Sequence, residues 1–103
     1  MSACYEEFLD AMPDARLAVD FTTMQSEVVD YSIVLILVTS DGRETIRVYD
    51  GAHGFNEIHR YTRVGGKQNG KEFHSGTLGE GMRVAIAAIK KSYREMIEGW
   101  RNQ

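Results

Sequence analysis

Tyr31-Ser32-Ile33-Val34-Leu35-Ile36-Leu37-Val38 is the most apolar run of the chain and is rich in β-branched residues. It closes on Thr39-Ser40-Asp41-Gly42, and Asp-Gly between two extended runs is the strongest short signal for a β-hairpin. From Ile33 to Val38 both alternating faces are apolar, which predicts a central strand with both faces of the sheet covered there. The run is too short to cross a bilayer as a helix.

On its N-terminal side, Arg16 to Thr23 alternates, with Leu17, Val19 and Phe21 on one face and Ala18, Asp20 and Thr22 on the other. This reads as a half-buried strand that returns through a turn at Met24-Gln25-Ser26-Glu27 into the central strand, Val28 to Val38. Further back, Tyr5, Phe8, Leu9 and Met12 fall at i, i+3, i+4 and i+7, so a short helix from Ser2 to Met12 is expected, stopped by Pro13-Asp14.

On the C-terminal side, Arg43 to Asp50 alternates again, Ile46 and Val48 one way and Thr45, Arg47 and Tyr49 the other. After a loop at Gly51-Ala52-His53-Gly54, Asn56 to Val64 reads as a fourth, more polar strand near an edge. Val64 to Lys71 holds three glycines and two lysines without periodicity and reads as a mobile hairpin loop. Glu72-Phe73-His74 forms a short last strand. Thr77-Leu78-Gly79-Glu80 is a capping box, and the helix it opens is expected to reach about Trp100, with Met82, Ile86, Ile89, Tyr93, Met96 and Trp100 as its apolar seam. The expected architecture is one α+β domain over residues 1–103: an antiparallel β-meander of about five strands, a short N-terminal helix, and a long C-terminal helix packed on the sheet. The second apolar face of the central strand (Val34, Ile36, Val38) then needs a cover, shared between the N-terminal helix and a homodimer partner.

A net charge of −3 excludes a strongly basic nucleic-acid binder, although a local basic patch is compatible with it. The N-terminal residues include Glu6 and Glu7 and no apolar signal region, so a cytoplasmic, non-membrane protein is expected. The single Cys4 forms no intramolecular disulfide and no cysteine-based zinc site. It is expected to be a small buried residue on the N-terminal helix.

All three histidines, His53, His59 and His74, lie in the polar half. Glycines flank His53, so the backbone there can turn sharply and present the ring. His59, Tyr61 and Arg63 alternate onto one face of a strand, with Glu57 beside them. A base, an acid and a cation in one patch are what metal-independent phosphodiester transfer in RNA requires: proton removal from the 2′-hydroxyl, stabilisation of the phosphorane, and protonation of the leaving oxygen. His53, His59, Tyr61 and Arg63 are thus the candidate catalytic residues. Arg60, Lys67, Lys71 and His74 are the candidate binding residues for phosphate backbone. No metal site or other cofactor is expected, since no histidine pair has a diagnostic spacing.

The run Val48-Tyr49-Asp50-Gly51-Ala52-His53-Gly54, then His59-Arg60-Tyr61, Phe73-His74-Ser75-Gly76, and the helix from Ala85 to Trp100 resemble a family of small uncharacterised bacterial and phage proteins. The order of a small meander, a histidine-bearing strand and a loop resembles TumE-type toxins of toxin–antitoxin modules, which implies an RNA-directed toxin with a protein antitoxin as partner. The alternative, from a different class, is a non-enzymatic interaction module, a phage or mobile-element protein that binds a host protein through its sheet or helix.

Overall fold

The computed structural model of the chain describes residues 1–9 and 12–102. The elements are β1 (Ser2–Leu9), β2 (Met12–Met24), β3 (Glu27–Thr39), β4 (Gly42–Asp50), β5 (Asn56–Thr62), β6 (Gly66–Lys67), β7 (Lys71–His74) and α1 (Leu78–Arg101). The strands form one antiparallel sheet in the order β1-β2-β3-β4-β5, and β6 and β7 pair successively with the outer flank of β5. α1 lies on one face of the sheet alone. The expected α+β meander with a long C-terminal helix is therefore present, with more strands than the sequence suggested.

The expected N-terminal helix is replaced by β1, antiparallel to β2 from Ser2↔Thr22 to Leu9↔Met12. Asp10 and Ala11, inside the span expected to be helical, lie outside the described residues. The stripe Tyr5, Phe8, Leu9 fits a helical period, but pairing with β2 satisfies a whole row of backbone groups that an isolated short helix leaves marginal. Phe8 is exposed as a result, and Arg16 lies over its ring at 4.2 Å. Cys4 is exposed on this edge strand rather than buried on a helix.

The core lies between the helix and one sheet face. Leu17, Val19, Ile33, Leu35, Leu37, Ile46 and Tyr49 meet Ala85, Ile89, Met96 and Ile97. In β4 the expected alternation fails: a bulge between Leu35↔Arg47 and Ile36↔Thr45 sends both Ile46 and Tyr49 to the helix and Val48 to the opposite face. The extra residue shifts the period by one.

The helix seam is also displaced. Its buried residues are Gly81, Ala85, Ile89, Met96 and Ile97, whereas Met82, Ile86, Tyr93 and Trp100 flank the contact. Gly81 sets the closest approach, since a Cβ there would stand 1.8 Å from Asn56 Oδ1. Asn56, 1% exposed, accepts from Tyr31 Oη at 2.7 Å. It donates through Nδ2 to the carbonyls of His74, Gly76 and Thr77 at 3.2, 3.0 and 3.1 Å. Burial pushes the Tyr31 hydroxyl well above its ordinary pKa, with the charge of Asp50 adding to the shift, so the hydroxyl remains a donor. The capping box forms as expected, with Thr77 Oγ1 accepting from Glu80 N at 3.1 Å and Glu80 Oε1 accepting from Thr77 N at 2.8 Å.

Opposite residues of paired strands share a face, so the register orders the open face into rows. One row runs Cys4, Asp20, Ser32, Asp50, Glu57; the next runs Glu6, Ala18, Val34, Val48, His59. Arg43 Nη2 of β4 reaches Glu6 Oε2 of β1 at 2.6 Å, over β2 and β3. Neighbouring strands lie about 4.8 Å apart, so a strong twist must bring these corners together. No element among the described residues covers this face, and no helix among them is long and apolar enough to cross a membrane.

Candidate functional site

The β4–β5 hairpin builds one end of the open face. Its register sets Asp50 against Glu57 and Val48 against His59, so two carboxylates and an imidazole meet where the polar row ends. His59 Nε2 lies 2.9 Å from Glu57 Oε1 and 3.7 Å from Asp50 Oδ2. The three side chains are nearly sealed, at 10% exposure for His59 and Glu57 and 14% for Asp50. Above them, the turn holding His53 places Nδ1 3.0 Å from the same Glu57 oxygen, and this ring is 67% exposed. Asp50 shapes that turn by accepting from Ala52 N through Oδ1 at 3.1 Å.

The stretch between β6 and β7 closes the site from the edge. Gln68 N donates to Arg60 O at 2.8 Å, and the Gln68 carbonyl lies 3.2 Å from His59 Nδ1. Gly70 passes so close that a Cβ would stand 2.5 Å from His59 Cε1 and 2.6 Å from Glu57 Cδ. This segment, expected to be a mobile loop, is therefore the wall of the site. His59 is held by a carbonyl on one nitrogen and a carboxylate on the other.

Burial acts to raise the Glu57 carboxyl, but hydrogen bonds from His53 and His59 and the charge of both rings outweigh it and hold the group below the usual carboxylate range. Among the described residues no lysine or arginine bridges Glu57 or Asp50. Next to Asp50, a cavity of about 250 Å³ is lined by Asp20, Asp30, Tyr31 and Ser32 among others. The neighbourhood is acidic.

The other residues singled out from sequence distribute around this centre. Tyr61 is on the same face, two residues beyond His59, and opposite Lys67. Arg60 is on the other face; with Gln68, Asn69 and Lys71 it surrounds a cavity of about 410 Å³ behind the wall segment. Arg63 is drawn to the end of the helix, where it donates to Arg101 O at 3.1 Å and lies 5.5 Å over the Trp100 ring. His74 sits at the helix N-terminus, 3.9 Å from Glu80. The structure thus joins His53 and His59 to Glu57 and Asp50, and places Arg63 and His74 elsewhere. The pairing of Asp50 with Glu57 exists only once the β4–β5 register is known.

These features define a small α+β protein with a histidine–carboxylate cluster at one edge of an antiparallel sheet. Residues 3–103 match the domain of unknown function DUF7718, and the chain belongs to that family. No match is found among the curated proteins or the solved structures. The resemblance to TumE-type toxins is unsupported by these comparisons.

Proposed function

We propose that the chain is a small RNA-acting protein whose chemistry is proton transfer by His53. The observation that carries this reading is the 3.0 Å contact between His53 Nδ1 and Glu57 Oε1. A carboxylate on one ring nitrogen fixes the imidazole and leaves the other nitrogen, Nε2, free to act as a base toward solvent. Glu57 is itself fixed by His59, and His59 by the Gln68 carbonyl, so the acting ring stands on a rigid base. In the proposed reaction His53 Nε2 takes the proton of a ribose 2′-hydroxyl, the 2′-oxygen attacks the phosphorus, and the imidazolium returns the proton to the departing 5′-oxygen. Lys67, opposite Tyr61 on the same face, supplies positive charge for the phosphorane. Arg60 and Lys71 hold backbone phosphates beyond the edge.

The test is incubation of the purified chain with a mixed-sequence RNA and with the matching DNA. Cleavage of RNA alone to 2′,3′-cyclic phosphate ends, reduced about a hundredfold or more in His53→Ala, is the expected outcome; intact RNA overturns the reading. A non-enzymatic interaction module, a phage or mobile-element protein that binds a host protein, is the second reading, favoured by the uncovered face with Val34, Ile36 and Val38 half-buried on it. A homodimer would cover the same face, and light scattering at a mass near 11.6 kDa would remove that partner.

A further inference from the structure

We infer that Asp50, Glu57 and His59 form a binding site for a first-row divalent transition-metal ion, with His53 standing outside the coordination shell at its mouth. The inference deepens the reading of this cluster as the functional centre and rests on it for its role, but ion binding is measurable without any RNA.

One oxygen or nitrogen of each of the three residues lies within 4.8 Å of the others. The separations at His59 Nε2 are 2.9 Å to Glu57 and 3.7 Å to Asp50. Donors placed about 2.0–2.2 Å from a tetrahedral ion stand about 3.3–3.6 Å apart, and both separations at His59 Nε2 lie within a few tenths of an ångström of that range. The surroundings already orient each donor. His59 Nδ1 faces the Gln68 carbonyl at 3.2 Å, the arrangement that turns Nε2 toward a metal. Asp50 engages Oδ1 with Ala52 N and leaves Oδ2 to the cluster. Gly70 packs against His59 and Glu57 where a larger residue does not fit, which shields those two groups from water.

Charge points the same way. Two nearly sealed carboxylates share the His59 imidazole and have no lysine or arginine partner among the described residues, and like charges brought together out of water are costly. A divalent ion neutralises both. It also offsets the acidic wall formed by Asp20 and Asp30, which otherwise repels a phosphate chain from His53. One imidazole with two carboxylates favours zinc, manganese or iron over magnesium and calcium, which take oxygen donors.

The experiment is calorimetric titration of the full chain with Zn²⁺, in a Cys4→Ser background that removes the exposed thiol as a competing ligand. Expected is one site per chain, with affinity lowered at least about tenfold in each of Asp50→Asn, Glu57→Gln and His59→Gln. Circular dichroism on each variant separates loss of the site from loss of the fold, and Asp50→Asn keeps the turn acceptor for Ala52. Absence of binding to a folded parent, or binding unchanged in folded Glu57→Gln and His59→Gln, overturns the inference. Cleavage of RNA that persists in chelator without zinc binding overturns the metal alone; zinc binding with intact RNA overturns the enzymatic reading alone.

Discussion

On the helix side, β2 and β3 present Leu17, Val19, Ile33, Leu35 and Leu37, each at 2% exposure or less. On the other side the same strands, with β4, present Ala18, Asp20, Ser32, Val34 and Asp50, none of which is fully buried. One sheet thus divides its labour. Apolar burial closes the first face and supplies most of the driving force for folding. The second face keeps a polar row that ends in the histidine–carboxylate cluster. Changes on the first face should therefore act on stability, and changes at the end of the second should act on chemistry with less effect on the fold.

The largest expected effect is Ile89→Ala, which leaves a cavity where the helix meets the sheet. It should cost about 2–5 kcal/mol, whereas Val34→Ala on the open face should cost about 1 kcal/mol or less. Urea denaturation of the pair measures the contrast; equal losses would erase the distinction between the faces.

Gly81→Ala comes next, because its Cβ runs into Asn56 Oδ1. A loss of about 1–3 kcal/mol is expected from overpacking, and an unchanged midpoint would mean that the helix does not approach there. Neither residue announced itself in the sequence. The helix was legible from its capping box and its 3.6-residue period, but that period, weighted toward large residues, picked Met82 and Ile86 rather than the small Gly81 and Ala85 that let the backbone close in. Asn56 reads as an ordinary polar residue at the start of a strand, and its burial follows only from Tyr31 and the chain returning before α1.

The central strand was legible for a different reason: its run is apolar whichever face one counts. β1 was not, because eight residues at the N-terminus carry both a helical and an alternating apolar pattern, and the decision belongs to β2. The same holds for the candidate site. His53 and His59 stand out by residue type and glycine context, but the partners that define their chemistry are set by register and by the wall segment at Gln68–Gly70.

Thr77→Ala should cost about 1 kcal/mol by removing the helix cap. Hydrogen bonding from the Thr77 backbone holds the Glu80 carboxyl below its ordinary value of 4.5, and the Thr77 side chain, His74 and Arg83 add to this against the opposing effect of burial. A depressed folded-state pKa means that the Glu80 contribution is fully present above about pH 4.5 and is lost as pH falls through the folded value. The stability gap between wild type and Glu80→Gln should narrow below that pH; a gap that widens in acid would contradict the capping geometry.

The smallest effect is a gain. Gln25 and Ser26 join β2 to β3 with φ of 52° and 67°, a left-handed conformation that costs a residue with a Cβ about 1–2 kcal/mol. After the entropy that glycine adds to the unfolded chain, Ser26→Gly should stabilise by about 0.5–1 kcal/mol, read as a raised melting temperature, without altering the site.

The division between the faces is tested most directly at Glu57, the carboxylate that both His53 and His59 contact. Under the proposed reading, RNA cleavage by Glu57→Gln falls about a hundredfold or more in a protein that still unfolds cooperatively near the wild-type midpoint. Full cleavage by a folded Glu57→Gln would contradict the account, because the residue on which the candidate site converges would then have no part in its chemistry.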